Sequence, residues 1–197
     1  MPCPSTYLVA ATFAVLACAD TIKITAQSDN TFSPSSATAK QGDILEFHFQ
    51  SKNHSVVAGD YKYPCSPVPI GSGFFSGFLD AESGEASKVF RVTVSNGDPL
   101  VFYSSQEAEC PKGMVGIVNA NDKQTLDDYK KRAGELARGV TPGTSSYGGE
   151  LADNKSSGSK SNDGGKKDEK NDKSAANTLR APFATIVAIL GAVMICV

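Results

Sequence analysis

Signatures of catalysis are missing from this sequence. It has no nucleophile elbow, no paired-carboxylate motif and no HExxH zinc-binding motif, so an enzyme is not expected. It also lacks an excess of positive charge. The formal charge is -2, and the basic residues are dispersed or interleaved with acids, which argues against a nucleic-acid partner. Histidine is scarce, with only His48 and His54. Five cysteines are present, but three of them fall in segments that read as processing signals.

Those segments lie at the two ends. Residues 1–19 read as a secretory signal peptide, with an apolar run from Tyr7 to Leu16 and a small-x-small cleavage site at Ala17-Cys18-Ala19. Ala181 to Val197 is an uncharged run, short for a spanning helix and interrupted early by Pro182. It fits the apolar tail of a GPI-attachment signal, preceded by the small residues Ser174-Ala175-Ala176 and the short spacer Asn177 to Arg180. Ser174 is the expected attachment residue, with Asn171 and Asn177 as rivals, and residues 175–197 form the propeptide. The expected product is extracellular and held to the membrane by a GPI lipid. It starts at Asp20, so it offers no amino-terminal histidine for a copper brace.

Cys3, Cys18 and Cys196 leave with these signals, and Cys65 and Cys110 remain. An even pair in an oxidising compartment is expected to form a disulfide; the alternative is a free or metal-binding thiol at Cys110. From Asp20 to Thr125 there are 12 acidic and 8 basic residues, a mild acidity suited to a soluble surface domain.

Residues 20–121 read as short strands separated by turns. Thr21 to Thr25 alternates, and Ile44 to Phe49 places Leu45, Phe47 and Phe49 on one face, which leaves His48 on the polar face toward solvent. Lys88 to Val94 alternates and ends at the turn Asn96-Gly97-Asp98-Pro99. Leu100 to Tyr103 and Met114 to Val118 complete a set that predicts an all-β sandwich. Residues 122–138 are expected to add one amphipathic helix, from about 125 to 138, packed on the sandwich. Thr125 is its N-cap, Asp128 completes a capping box, and Leu126, Tyr129, Ala133, Leu136 and Ala137 form its apolar stripe. Residues 139–174, rich in Gly, Ser, Asn, Asp and Lys and without apolar period, are expected to form a disordered stalk. Two sequons mark possible N-glycans at Asn53 and, in the stalk, Asn154. Phe74, Phe75 and Phe78 supply either an exposed recognition loop or core.

The ordered set Thr31-Phe32-Ser33-Pro34, Gly42 to Phe47, Asn53-His54-Ser55-Val56-Val57 and Pro64-Cys65-Ser66-Pro67 resembles the cupredoxin-like, GPI-anchored proteins of fungal cell surfaces, relatives of plastocyanins and phytocyanins. Phe102-Tyr103-Ser104 through Cys110 to Asn119 extends the likeness, which covers about residues 21–121. The resemblance implies a Greek-key sandwich with a metal position at one end and a Cys65–Cys110 bridge beside it. A type 1 copper site in this family reads His, then Cys-x4-His-x4-Met. Carried over, His54 and Met114 match the first His and the axial Met, while Ser104 stands for the Cys and Glu109 for the second His. A hydroxyl cannot supply the thiolate bond at the electronic centre of such a site, so no cofactor is expected. A weak mixed site of His54, Glu109 and Met114 for copper is the alternative. The bland roles are a half-buried polar residue for His54 and a core residue for Met114. The function expected is a surface binding or structural module that contacts cell-wall polymers or surface proteins. The alternative is copper electron transfer at the cell surface.

Overall fold

A computed structural model describes residues 18–69 and 71–155. Among the described residues nine strands form two sheets that share one long strand: β1 (Thr21–Ala26), β2 (Phe32–Ser33), β3 (Ser36–Ala37), β4 (Ile44–Gly59), β5 (Phe75–Glu85), β6 (Lys88–Thr93), β7 (Leu100–Tyr103), β8 (Val115–Val118) and β9 (Glu150–Asp153). The first half of β4 pairs in parallel with β1 and antiparallel with β6, in the order β2-β1-β4-β6-β9. Its second half pairs with β5 and β7, and the sheet continues to β8 and β3. Register shifts at Gln50/Lys52 and Ser55/Val57 accompany this change of sheet, as bulges that bend a strand do.

The inward residues of the alternating segments build the core. Phe47, Phe49, Phe90 and Phe102 are fully buried, and the Phe102 ring meets Phe47 and Phe32 edge-on at 5.3 and 5.0 Å. Each such ring contributes roughly 1.5–3 kcal/mol by leaving water. Phe102 also lies flat across Gly116 of β8, its direct cross-strand partner, so that any side chain there would overlap the ring. Of the three clustered phenylalanines, Phe74 and Phe75 are core, and Phe78 is 42% exposed.

One α-helix, α1 (Leu126–Ala133), follows the sandwich and stops at Gly134, short of residue 138. Thr125 Oγ1 accepts from the Asp128 N–H at 3.2 Å, the cap anticipated from sequence. The other half of the capping box is absent. Tyr61 Oη accepts from the Thr125 N–H and donates to the Asp128 carboxylate instead. Tyr129 and Ala133 are the buried face of α1, and Leu136 beyond the helix is exposed.

Three expectations from sequence need correction. Residues 139–155, assigned to the stalk, form an ordered strap on the sandwich. Val140 N–H donates to Cys65, Tyr147 pairs with Phe75, and β9 adds an edge strand to β6. Composition misled here because an edge strand is held by backbone bonds and needs no apolar alternation. His48 is not solvent-facing: it is 2% exposed, because the outer face of β4 is covered by Glu85 at the end of β5 and by Asn154 after β9. Asn154 does not hang in a solvated stalk; it is 7% exposed. Asn53 is half-buried on β4, opposite Asp80. The signal peptide up to residue 17, stalk residues 156–174, Ser174 and the propeptide 175–197 lie outside the described residues.

The cover over His48 is a charged one. Its Nε2 faces Glu46 at 2.7 Å and its Nδ1 faces Glu85 at 3.2 Å. Glu46 also takes Arg91, and Glu85 takes Asn154 and, at 3.5 Å, Lys23. Burial pushes the Glu46 carboxyl up, but hydrogen bonds from His48 and Arg91 outweigh it and hold the group below the usual carboxylate range. Glu85 is lowered as well, by the Asn154 amide first, against burial, and then by His48 and Lys23. A lowered carboxylate contributes stability that is fully present above its unfolded value and is lost as pH falls through the folded one. Urea midpoints are therefore expected to be level down to about pH 5 and to decline below it. In the Glu85→Gln variant the acid decline should be shallower.

Candidate functional site

The end of the sandwich singled out by the sequence is built from β4 and the β7–β8 loop. Ser104 follows β7 directly, and Met114 precedes β8. The loop between them closes on itself: Ser104 N–H donates to Met114 O at 3.1 Å and Met114 N–H to Glu109 O at 2.9 Å. Gly113 takes φ +100, a conformation that L side chains rarely adopt, which lets the chain turn back into β8. The Cys65–Cys110 disulfide forms beside the site, with a Cα–Cα distance of 5.8 Å, and Tyr129 Oη accepts from the Cys65 N–H. Burial, the larger influence, pushes the Tyr129 hydroxyl up to about 12 despite that bond, so it stays a protonated anchor.

Three of the four residues at the family's ligand positions come into direct contact. His54 Nδ1 lies 3.1 and 3.0 Å from the two Glu109 carboxylate oxygens, and Ser104 Oγ donates to Glu109 Oε2 at 2.7 Å. His54 and Ser104 are fully buried and Glu109 is 7% exposed. Ser104 Oγ also accepts from the N–H groups of Ser55 (3.3 Å) and Gln106 (3.4 Å). One donated and two accepted bonds complete the capacity of a hydroxyl. Met114 joins through its backbone, and its side chain belongs to the core cluster of Phe47, Phe74 and Phe102.

The proton on the imidazole can be placed. A carboxylate only accepts, so the nitrogen facing it carries the hydrogen. His54 Nε2 is buried with no hydrogen-bond partner among the described residues. The imidazole is therefore tied to the site through Nδ1 alone.

These residues do not fit a blue copper ion. The His54 nitrogen that faces the site holds a proton bonded to Glu109, Ser104 has no lone pair left, and the Cys110 sulfur is committed to the disulfide. Among the described residues no group of three or more His, Cys, Asp or Glu could hold a metal ion. The arrangement can hold a proton between an imidazole and a carboxylate; it offers a soft metal no thiolate.

Sequence reading missed a polar layer around this triad. Ser55 Oγ lies 3.0 Å from Ser105 Oγ and accepts from the Ser105 N–H at 2.9 Å, tying β4 to the start of the loop. The pairing of Ser55 beside His54 and Ser105 beside Ser104 was the signal available. On the outside, Phe78, Ser105, Glu107, Arg138 and Thr141 line a groove of about 440 Å³ between the loop and the strap.

No family model matches the chain. Among curated proteins, it is similar to "Probable GPI-anchored cupredoxin-1" of Arthroderma benhamiae, 30% identical over 138 residues, 68% of this chain and 70% of that protein. It is also similar to an extracellular serine-rich protein of the same organism, 32% identical over 139 residues, of whose length it spans 53%. Among solved structures it is similar to reduced auracyanin from Roseiflexus castenholzii, at 17% identity and TM-score 0.39, covering 52% of this chain and 97% of that one. With a relative 30% identical across more than two thirds of both chains, this protein belongs to the fungal GPI-anchored cupredoxins.

Proposed function

We propose that this protein is a GPI-anchored module of the cell surface or cell wall, and that its sandwich binds or organises other surface components without carrying electrons on copper or catalysing a reaction. The observation that carries this reading is the Glu109 carboxylate, which engages His54 Nδ1 and Ser104 Oγ, two atoms at the family's ligand positions. Glu109 and Ser104 make the pocket a closed polar contact, worth more to the fold than to redox chemistry. The groove beside it, with the exposed ring of Phe78 and the charges of Glu107 and Arg138, is the surface this end presents to a partner. Membrane attachment is supported by the GPI-anchored relative and by the uncharged run from Ala181 to Val197.

The rival reading, copper electron transfer at the surface, draws on His54 and Met114, the two positions of matching type. One preparation separates the two. Phosphatidylinositol-specific phospholipase C should release the protein from membranes. Released protein titrated with Cu(II) should then develop no intense visible band and show no affinity tighter than micromolar. A stoichiometric, reversibly reducible blue centre would establish electron transfer, and failure of release would remove the lipid anchor.

A further inference from the structure

Asn154 sits in the sequon Asn154-Lys155-Ser156, yet its side chain is an internal fastening. Nδ2 donates to Glu85 Oε2 at 3.0 Å and to the Ala86 carbonyl at 2.9 Å, and the Asn154 N–H donates to the Ser87 carbonyl at 2.8 Å. Both amide hydrogens are therefore committed. The acceptors lie on the β5–β6 turn, and β9, immediately before Asn154, pairs with β6 in the register Lys88↔Asp153 and Val89↔Ala152. Through Glu85 the amide reaches His48 on β4 and, beyond it, Glu46 and Arg91. The end of the strap is thus tied to strands β4, β5 and β6 at one buried point.

We propose that docking of the strap and N-glycosylation of Asn154 are mutually exclusive fates of this residue. Hydrogen counting gives the reason. Transfer of a glycan forms a bond from Nδ2 to C1 of the first sugar. The amide loses one proton, and the lipid-linked pyrophosphate of the donor leaves with the electron pair of the broken bond. The product keeps one N–H, so one of the two acceptors is abandoned. At 7% exposure the residue also has no room for a sugar ring while β9 is paired. A buried acceptor left without its donor is costly, and a sugar ring cannot fit beside the paired β9, so the glycosylated chain releases the strap end. The unmodified chain keeps it docked.

The test uses the full chain expressed in a glycosylating eukaryotic host. Glycopeptide mass spectrometry reports occupancy at Asn154, and hydrogen exchange of residues 139–155 reports docking of the strap. The Ser156→Ala variant, which abolishes the sequon and leaves the amide untouched, should match unmodified wild type in exchange. Asn154→Ala should exchange roughly tenfold faster in β9. Asn154→Asp, which keeps the size of the side chain and removes the donors, should behave likewise. Wild-type molecules should be either unmodified and protected or glycosylated and unprotected. A glycosylated fraction whose strap is as protected as that of Ser156→Ala overturns the proposal, and so does an Asn154→Ala protein with undiminished protection.

Discussion

Replacing Cys65 and Cys110 together with alanine is expected to lower the unfolding free energy by about 4 kcal/mol, the chain-entropy value for a loop whose ends are 45 residues apart. The loop spans the middle of the fold: β5, β6 and β7 all lie between the two cysteines. In the unfolded chain the bridge confines all three strands, and its removal restores that freedom. The folded state loses something as well. The bridge is buried against Tyr129 and Ala133 of α1 and beside Val140 of the strap, so α1 and residues 139–155 depend on the same contact. Chemical denaturation of the double variant beside the native protein measures the loss. A shift under about 1 kcal/mol would overturn the chain-entropy account of this bridge.

The placement of that bridge was legible in the sequence from compartment and count, and the core was legible from period. Leu45, Phe47 and Phe49 alternate inward as their spacing requires, because a half-buried strand has no other way to satisfy one apolar face. The cap at Thr125 was readable for a similarly local reason. Three other features depend on distant chain and could not be read. Strand β5 contains Gly77, Gly84 and several polar residues and reads as loop; it is a strand because β4 offers it a long edge with two bulges to absorb its irregularity. His48 was assigned to the correct face of β4. What covers that face, Glu85 and Asn154, lies 37 and more than 100 residues further on, where no local pattern points to it. The strap is invisible to composition because backbone pairing with β6 holds it, whatever its side chains are.

The candidate site was legible in identity and not in geometry. Spacing placed His54, Ser104 and Glu109 at corresponding positions, and the choice between a weak metal site and a metal-free pocket depended on where each lone pair points. What the structure adds is the set of partners each donor atom already has. Ser104 Oγ is fully engaged, and Glu109 turns inward to His54 with both oxygens. A serine in place of cysteine removes the thiolate. The glutamate at the position of the family's second histidine satisfies the remaining imidazole and accepts from that serine.

That account makes the paired substitution Ser104→Cys with Glu109→His the decisive one. The cysteine supplies a thiolate at the end of β7, and the histidine supplies a second imidazole while releasing the Nδ1 proton of His54 from its carboxylate. Ser104 and Met114 stand at the two ends of the same loop, and His54 faces it from β4. Cu(II) added to the folded double variant should therefore produce an intense visible absorption that native protein lacks. Each single change should fail for its own reason. Ser104→Cys leaves Glu109 bonded to His54, and Glu109→His leaves copper without a thiolate. The new cysteine lies close to the Cys65–Cys110 bridge, so disulfide mapping must accompany the spectrum. A correctly bridged, folded double variant that stays colourless with copper would mean that the loop from Ser104 to Met114 no longer holds the spacing of a metal site, and that the pocket has been rebuilt around the proton between His54 and Glu109.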